Sequence, residues 1–151
     1  MRTLVAFAVM LAPLAAAAAT PAGGALAPLA AALDDAASHA APLAEHAATA
    51  SPAALTTPSD DEAGAFSAVV AADQALTRVV REQPAALPRG ADTSVLAALN
   101  DAHAALSTYA LARADGDRET MRSAAREAVE ALGRADALVE ESRPYPLVHP
   151  R

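Results

Sequence analysis

The chain contains no cysteine. Disulfides, thiolate metal sites, cysteine nucleophiles, covalent haem attachment and a lipobox anchor are therefore excluded. Lysine and isoleucine are also missing, and arginine supplies all the fixed positive charge. About a third of the residues are alanine. Such usage is what a GC-rich bacterial genome produces. The formal net charge is -7, with no basic cluster. That balance makes a poor nucleic-acid binder and a poor ligand for anionic lipid, so no nucleic-acid partner is expected. No G-x-S-x-G, no phosphate-cradling glycine loop and no H-E-x-x-H motif occurs. The paired acids Asp34-Asp35, Asp60-Asp61 and Glu140-Glu141 fit helix caps and solvated faces better than acid/base chemistry. Catalysis is not expected, and no cofactor is called for.

What the chain does have is a leader-like start. Arg2 precedes an apolar run from Leu4 to Ala19, which closes in Ala17-Ala18-Ala19-Thr20, Pro21 and Gly23-Gly24. Positive charge, apolar stretch, small-residue cut site and breaker, in that order, read as a secretory signal peptide over residues 1–19. Small residues favour cleavage after Ala17 or Ala19. Pro13 interrupts the run, unlike a membrane-spanning helix of ~20 apolar residues. No later stretch is long and apolar enough to cross a bilayer. The expected location is the periplasm or the medium outside a bacterial cell.

The rest predicts an all-α fold, a small antiparallel helical bundle of three firm helices and one weaker Ala/Pro-rich segment. Residues 20–58 form that segment. Prolines 28, 42, 52 and 58 argue against one continuous helix through it. Leu26, Leu29 and Leu33 nevertheless share a face, and Pro28 to Ala50 predicts a first helix kinked or split at Pro42. The bundle proper spans 59–141. Ser59 with Glu62 predicts a reciprocal capping box, and the helix it opens runs to about Gln83. Its apolar side is Phe66, Val69, Val70, Leu76, Val79 and Val80.

Asp92, Thr93 or Ser94 is expected to cap the next helix. Val95, Leu99, Ala102, Leu106 and Tyr109 then alternate in steps of four and three, the seam of a helix lying along another. Asp115-Gly116-Asp117 forms the turn. Arg118 to about Glu141 repeats the spacing through Met121, Ala125, Ala128, Leu132, Ala135 and Val139. Arg126/Glu130 and Glu130/Arg134 are expected as pairs on its outer face. A turn this short makes the last two helices antiparallel. Residues 142–151 are expected to form an extended proline-rich tail carrying Tyr145, Leu147 and Val148, one that packs back along the bundle or stays loose, with docking in a partner's groove as the alternative.

Few residues suit binding chemistry. Asp35 and His39, four apart, can chelate a metal from one helix face, with His103 or Glu45 needed to complete a site. His39 and His46 share a face but sit ~10 Å apart along the axis, too far for one ion. Met121 and His103 are the side chains available to ligate haem. Asp73 falls between Val69/Val70 and Leu76, and Arg113 occupies a seam position. The two are candidates for a buried polar pair, the plainer reading being an Asp73 that reaches water. The expected function is a non-enzymatic binding or assembly role in the cell envelope, with a homodimer or an envelope protein as partner. A small-ligand carrier, for metal or haem, is the alternative.

Overall fold

The computed structural model describes residues 22–143. The proposed signal peptide and its cut site, and residues 144–151 of the tail, lie outside the described residues. Five α-helices occur among the described residues: α1 (Ala22–Ala40), α2 (Leu43–Thr49), α3 (Asp60–Glu82), α4 (Ala91–Asp115) and α5 (Arg118–Glu141). No strand is present among the described residues.

Pro28 lies inside α1 rather than ending it. Only the bond to the Gly24 carbonyl is forfeited, one turn from the helix start, while Leu26, Leu29 and Leu33 on the same stretch are all but excluded from solvent. Burial of three leucines at roughly 2 kcal/mol each outweighs that loss. Pro42 does break the helix, as its sequence position predicts. It keeps helical φ and ψ but has no amide to donate, and the hydrogen-bond ladder resumes from the Pro42 carbonyl to the His46 amide at 2.9 Å. α1 and α2 act together as the fourth rod, so the Ala/Pro-rich segment is a packed part of the bundle.

Ser59 caps α3, its Oγ accepting the Glu62 amide at 3.1 Å. α3 ends before Pro84, which opens a single 3-10 turn. α4 begins earlier than expected and without a side-chain cap. Gly90 at φ 83° occupies the left-handed region open to glycine, and Ser94 donates back to the Gly90 carbonyl at 3.1 Å. The chain reverses at the backbone of Gly90, so Asp92 and Thr93 fall inside the first turn of the helix.

The α4–α5 turn closes as a Schellman motif. Gly116, at φ 73°, donates to the Arg113 carbonyl at 3.1 Å, and Asp117 donates to the Ala112 carbonyl at 2.8 Å. Asp117 then caps α5 by accepting from the Thr120 amide at 3.1 Å. The Thr120 hydroxyl, and after it the amide, hold the Asp117 carboxyl below its usual range.

α1 packs on α3, α3 on α4, α4 on α5, and α5 returns to α1 and α2. Short connections make neighbours antiparallel, an up-down-up-down four-rod ring. Large side chains, among them Leu26, Leu33, Leu43, Val95, Leu106 and Leu132, fill the centre. Fully buried alanines (Ala36, Ala65, Ala72, Ala102, Ala128, Ala135) separate them and let the axes approach. Both predicted seams, on α4 and on α5, face this core. Val70 and Val80 do not. They stay 47% and 41% exposed, because Ala68, Ala72 and Ala75 take the core-facing arc of α3 instead. Arg134 bonds Asp101 of α4 at 2.9 Å rather than pairing with Glu130 of its own helix.

Candidate functional site

Two regions gather side chains that the core does not need for packing. The first is the end of the bundle where α2 leads into α3 and α4 turns into α5. Antiparallel order brings the last turn of α4 beside the first turn of α3 there. Glu62 does not complete the expected capping box. Its carboxylate turns inward, and Oε2 lies 2.8 Å from Arg113 Nε, with the two side chains 3% and 10% exposed. The contact is ionic and off the hydrogen-bond axis. Arg113 Nη1 also donates to the Leu55 carbonyl at 3.0 Å. Tyr109 lies one turn back on α4, wholly buried, its hydroxyl 3.4 Å from the Leu43 carbonyl. Burial, the Glu62 carboxylate and Asp61 push its phenol up to about 12, against the opposing pull of Arg113.

Arg118, opening α5, donates Nη1 to the Ala47 carbonyl at 2.8 Å and Nη2 to the Ala50 carbonyl. These are the last carbonyls of α2, so the arginine caps that helix from across the bundle. A cleft of about 580 Å³ opens beside both arginines, Leu55 and Pro52. Their bonded donors point to carboxylate and carbonyls. This end clamps the connector between α2 and α3.

Asp73 is not part of that cluster. It is exposed, one position past the buried Ala72 and therefore turned away from the core. It also sits eleven residues beyond Glu62 on α3, ~16 Å further along the axis than Arg113 can reach. Arg113 is mostly enclosed, its side chain 10% exposed, and its partner is Glu62.

Asp35 and His39 do come together: His39 Nε2 is 3.8 Å from Asp35 Oδ1, and its Nδ1 is 3.3 Å from Asp61 Oδ1 on α3. The ring lies over Gly64, close enough that a Cβ there would meet it at 2.6 Å. His103 does not join them. It is exposed on α4 and stacks edge-on against Phe66 with ring centres 5.5 Å apart. Glu45 is likewise exposed on α2. No group of three or more metal-binding side chains converges among the described residues. Met121 is fully buried at the start of α5. Counting from the Arg134–Asp101 contact places it level with Ala114, ~16 Å along the axis from His103, too far for both to ligate one haem iron. His46 carries a buried Nε2 with no partner among the described residues.

The second region is the outer seam between α3 and α4, the looser of the bundle's joints. Val70, Val80 and Leu96 are 47%, 41% and 40% exposed. Val80 and Leu96 flank a depression of about 350 Å³ floored by Leu76, with Thr77 and Thr93 on its walls and Asp73, Asp92 and Arg81 at its edge. Sequence periodicity assigned Val70 and Val80 to the core and so hid this groove. The signal available was Leu96, an apolar residue one step off the Val95/Leu99 seam.

No helix among the described residues is long and apolar enough to cross a membrane. No family model, no curated protein and no solved structure matches the chain.

Proposed function

We propose that this is an exported, non-enzymatic helical-bundle protein that works by binding or assembly in the periplasm or outside a bacterial cell. The α3/α4 groove is its binding face. The observation that carries this is the pairing of Val80 and Leu96, two of the large exposed apolar residues among the described ones, on either side of one depression floored by Leu76. Apolar surface collected in one place, rather than scattered, marks an interaction site. Asp73 and Asp92 with Arg81 at the edge favour a partner that carries charges of both signs beside its apolar residues. Export is supported by the Arg2–Thr20 leader pattern. A second copy is not needed to complete the core, since α1 and α2 already fill the fourth place in the ring.

Two measurements test this. Fractionation of a bacterial host expressing the full chain, with intact-mass analysis, is expected to find a processed form outside the cytoplasm. Accumulation of the unprocessed chain in the cytosol would overturn export. A photo-crosslinking residue at Val80 is expected to form a discrete adduct in the host envelope, and one at the exposed Glu130 is not. Equal adducts at both positions would overturn the groove as the binding face.

A further inference from the structure

We infer that the occupant of the α3/α4 groove is a second copy of this chain, docked about a two-fold axis that crosses α3 at Thr77 and α4 at Thr93. The inference rests on the groove being the binding face and names the partner that this face fits.

Periodicity points to a helical partner. Beside its core-facing arc, α3 carries Val70, Asp73, Thr77 and Val80 in steps of three and four, all exposed. α4 does the same with Thr93, Leu96, Asn100 and His103. Residues at that spacing share one helix face. Two neighbouring helices thus each offer a second, partly apolar seam beyond the one that faces the core.

Height along the bundle points to a second copy. The Phe66 and His103 rings meet with centres 5.5 Å apart, which sets the register of α3 against α4. Counting from that contact, up α3 and back along α4 at ~1.5 Å per residue, brings Thr77 level with Thr93. Val80 then stands ~4.5 Å above that level and Leu96 ~4.5 Å below it. Arg81 stands ~6 Å above and Asp73 ~6 Å below. A two-fold axis across the helices reverses height and lays α3 on α3 and α4 on α4 of the other copy, antiparallel. Val80 comes level with Leu96 of the other copy, across the seam. Arg81 comes level with Asp73 of the other copy, and the symmetry makes that pair twice.

The mixed charge at the groove's edge therefore complements itself. Arg81 bonds Glu82 of its own helix at 3.0 Å, with both side chains well exposed. Its guanidinium fork has donors left for a second carboxylate. Asp92, the remaining charged residue of the lining, lies near the axis and faces its own copy. The paired seams cover roughly 20 Å by 20 Å, about 400 Å² per copy against the ~800 Å² of a stable interface. A small face with one repulsive pair makes the dimer reversible rather than permanent.

Sedimentation equilibrium of the chain purified from its host tests this, at loadings up to about 1 mM to cover the weak affinity of so small an interface. A monomer–dimer equilibrium is expected. Asp73→Arg and Arg81→Asp each set like charges together twice, and each is expected to weaken the dimer roughly tenfold. An equimolar mixture of the two variants is expected to associate as the parent does, because every cation again meets an anion. The double variant, whose net charge equals the parent's, is expected to behave likewise. Asp92→Asn is expected to tighten the dimer. Asp73 and Arg81 are exposed, and circular dichroism confirms that each variant is helical. A chain that stays monomeric, or a dimer that the swaps do not weaken or the mixture does not restore, would overturn the proposal. The Val80 photo-adduct separates this from the broader reading. An adduct of twice the chain's mass supports the second copy. An adduct with a different protein keeps the binding face, and with a monomer in the centrifuge it removes the second copy. No adduct together with a monomer removes both.

Discussion

Arg113 and Glu62 join the last turn of α4 to the first turn of α3 through a 2.8 Å contact that is almost wholly closed to solvent. Each residue solves the other's problem. An inward-facing guanidinium needs a counter-charge, and a carboxylate turned away from its own helix cap needs a cation. Tyr109 and the Leu55 carbonyl complete the surroundings.

Removing one partner should therefore cost far more than removing both. Glu62→Ala leaves the Arg113 cation buried and unpaired, an expected loss of about 3–5 kcal/mol. Replacing the pair with Glu62→Leu and Arg113→Met restores most of that stability, because two desolvated charges disappear together. A double-mutant cycle by urea denaturation measures the coupling. A coupling near zero would mean that the pair contributes no more than a surface contact.

Tyr109 gives the bundle an alkaline limit. Its phenol ionises at about 12 in the folded chain and near 10 when unfolded. The folded state holds the proton more tightly, so this contribution is complete below pH 10 and is lost as the pH rises from 10 to 12. Two pK units correspond to roughly 2–3 kcal/mol. With no lysine in the chain, tyrosines are the only side chains that titrate in that window. Tyr109→Phe is expected to flatten the fall in melting temperature between pH 10 and 12. An unchanged fall would show that the phenol is not the responsible group.

How far these relationships could be read in the sequence depends on whether they repeat. The seams of α4 and α5 were legible because steps of four and three recur over five or six positions, and every residue so assigned is buried. The break at Pro42 was legible because a missing amide acts locally. Pro28 was misjudged for the opposite reason: its local penalty is outweighed by leucines that meet their partners only in the tertiary fold. The position of Arg113 pointed to a buried charge. The plainer reading of Asp73, a carboxylate that reaches water, agrees with its exposure, while the alternative pairing with Arg113 fails because a helical face was weighed without axial height. In an antiparallel ring the end of α4 meets the start of α3, and that places Glu62, not Asp73, within reach. The groove was hidden because Val70 and Val80 look like core residues until alanines prove to fill the core-facing arc.

Arg118 is expected to control the connector between α2 and α3. Arg118→Gln removes the charged fork from the Ala47 and Ala50 carbonyls, at about 1.5–3 kcal/mol. Lysine presents a single point of charge and should not rescue the loss. Hydrogen exchange followed by mass spectrometry should show faster exchange over residues 43–57 in both variants, with the α4–α5 seam unchanged. Uniform acceleration over the whole bundle would mean that Arg118 supports global stability rather than this end.

Gly64 makes a prediction whose sign reverses with its neighbour. In an exposed helix interior, alanine is better than glycine by up to ~1 kcal/mol, because glycine loses more backbone freedom on folding. At Gly64 the gain is blocked. A Cβ would stand 2.6 Å from His39 Nδ1 and 2.7 Å from two ring carbons, and those atoms belong to the near side of a rigid ring rather than the tip of a flexible chain. The ring can yield only by leaving Asp61, 3.3 Å away, and Asp35, 3.8 Å away. Gly64→Ala alone should therefore lower the melting temperature. In a His39→Ala background the obstacle is gone, and the same substitution should raise it by the equivalent of roughly 0.5–1 kcal/mol. Thermal melts of the four chains in the cycle decide the matter. A Gly64→Ala that stabilises both backgrounds equally would show that His39 does not rest on this glycine.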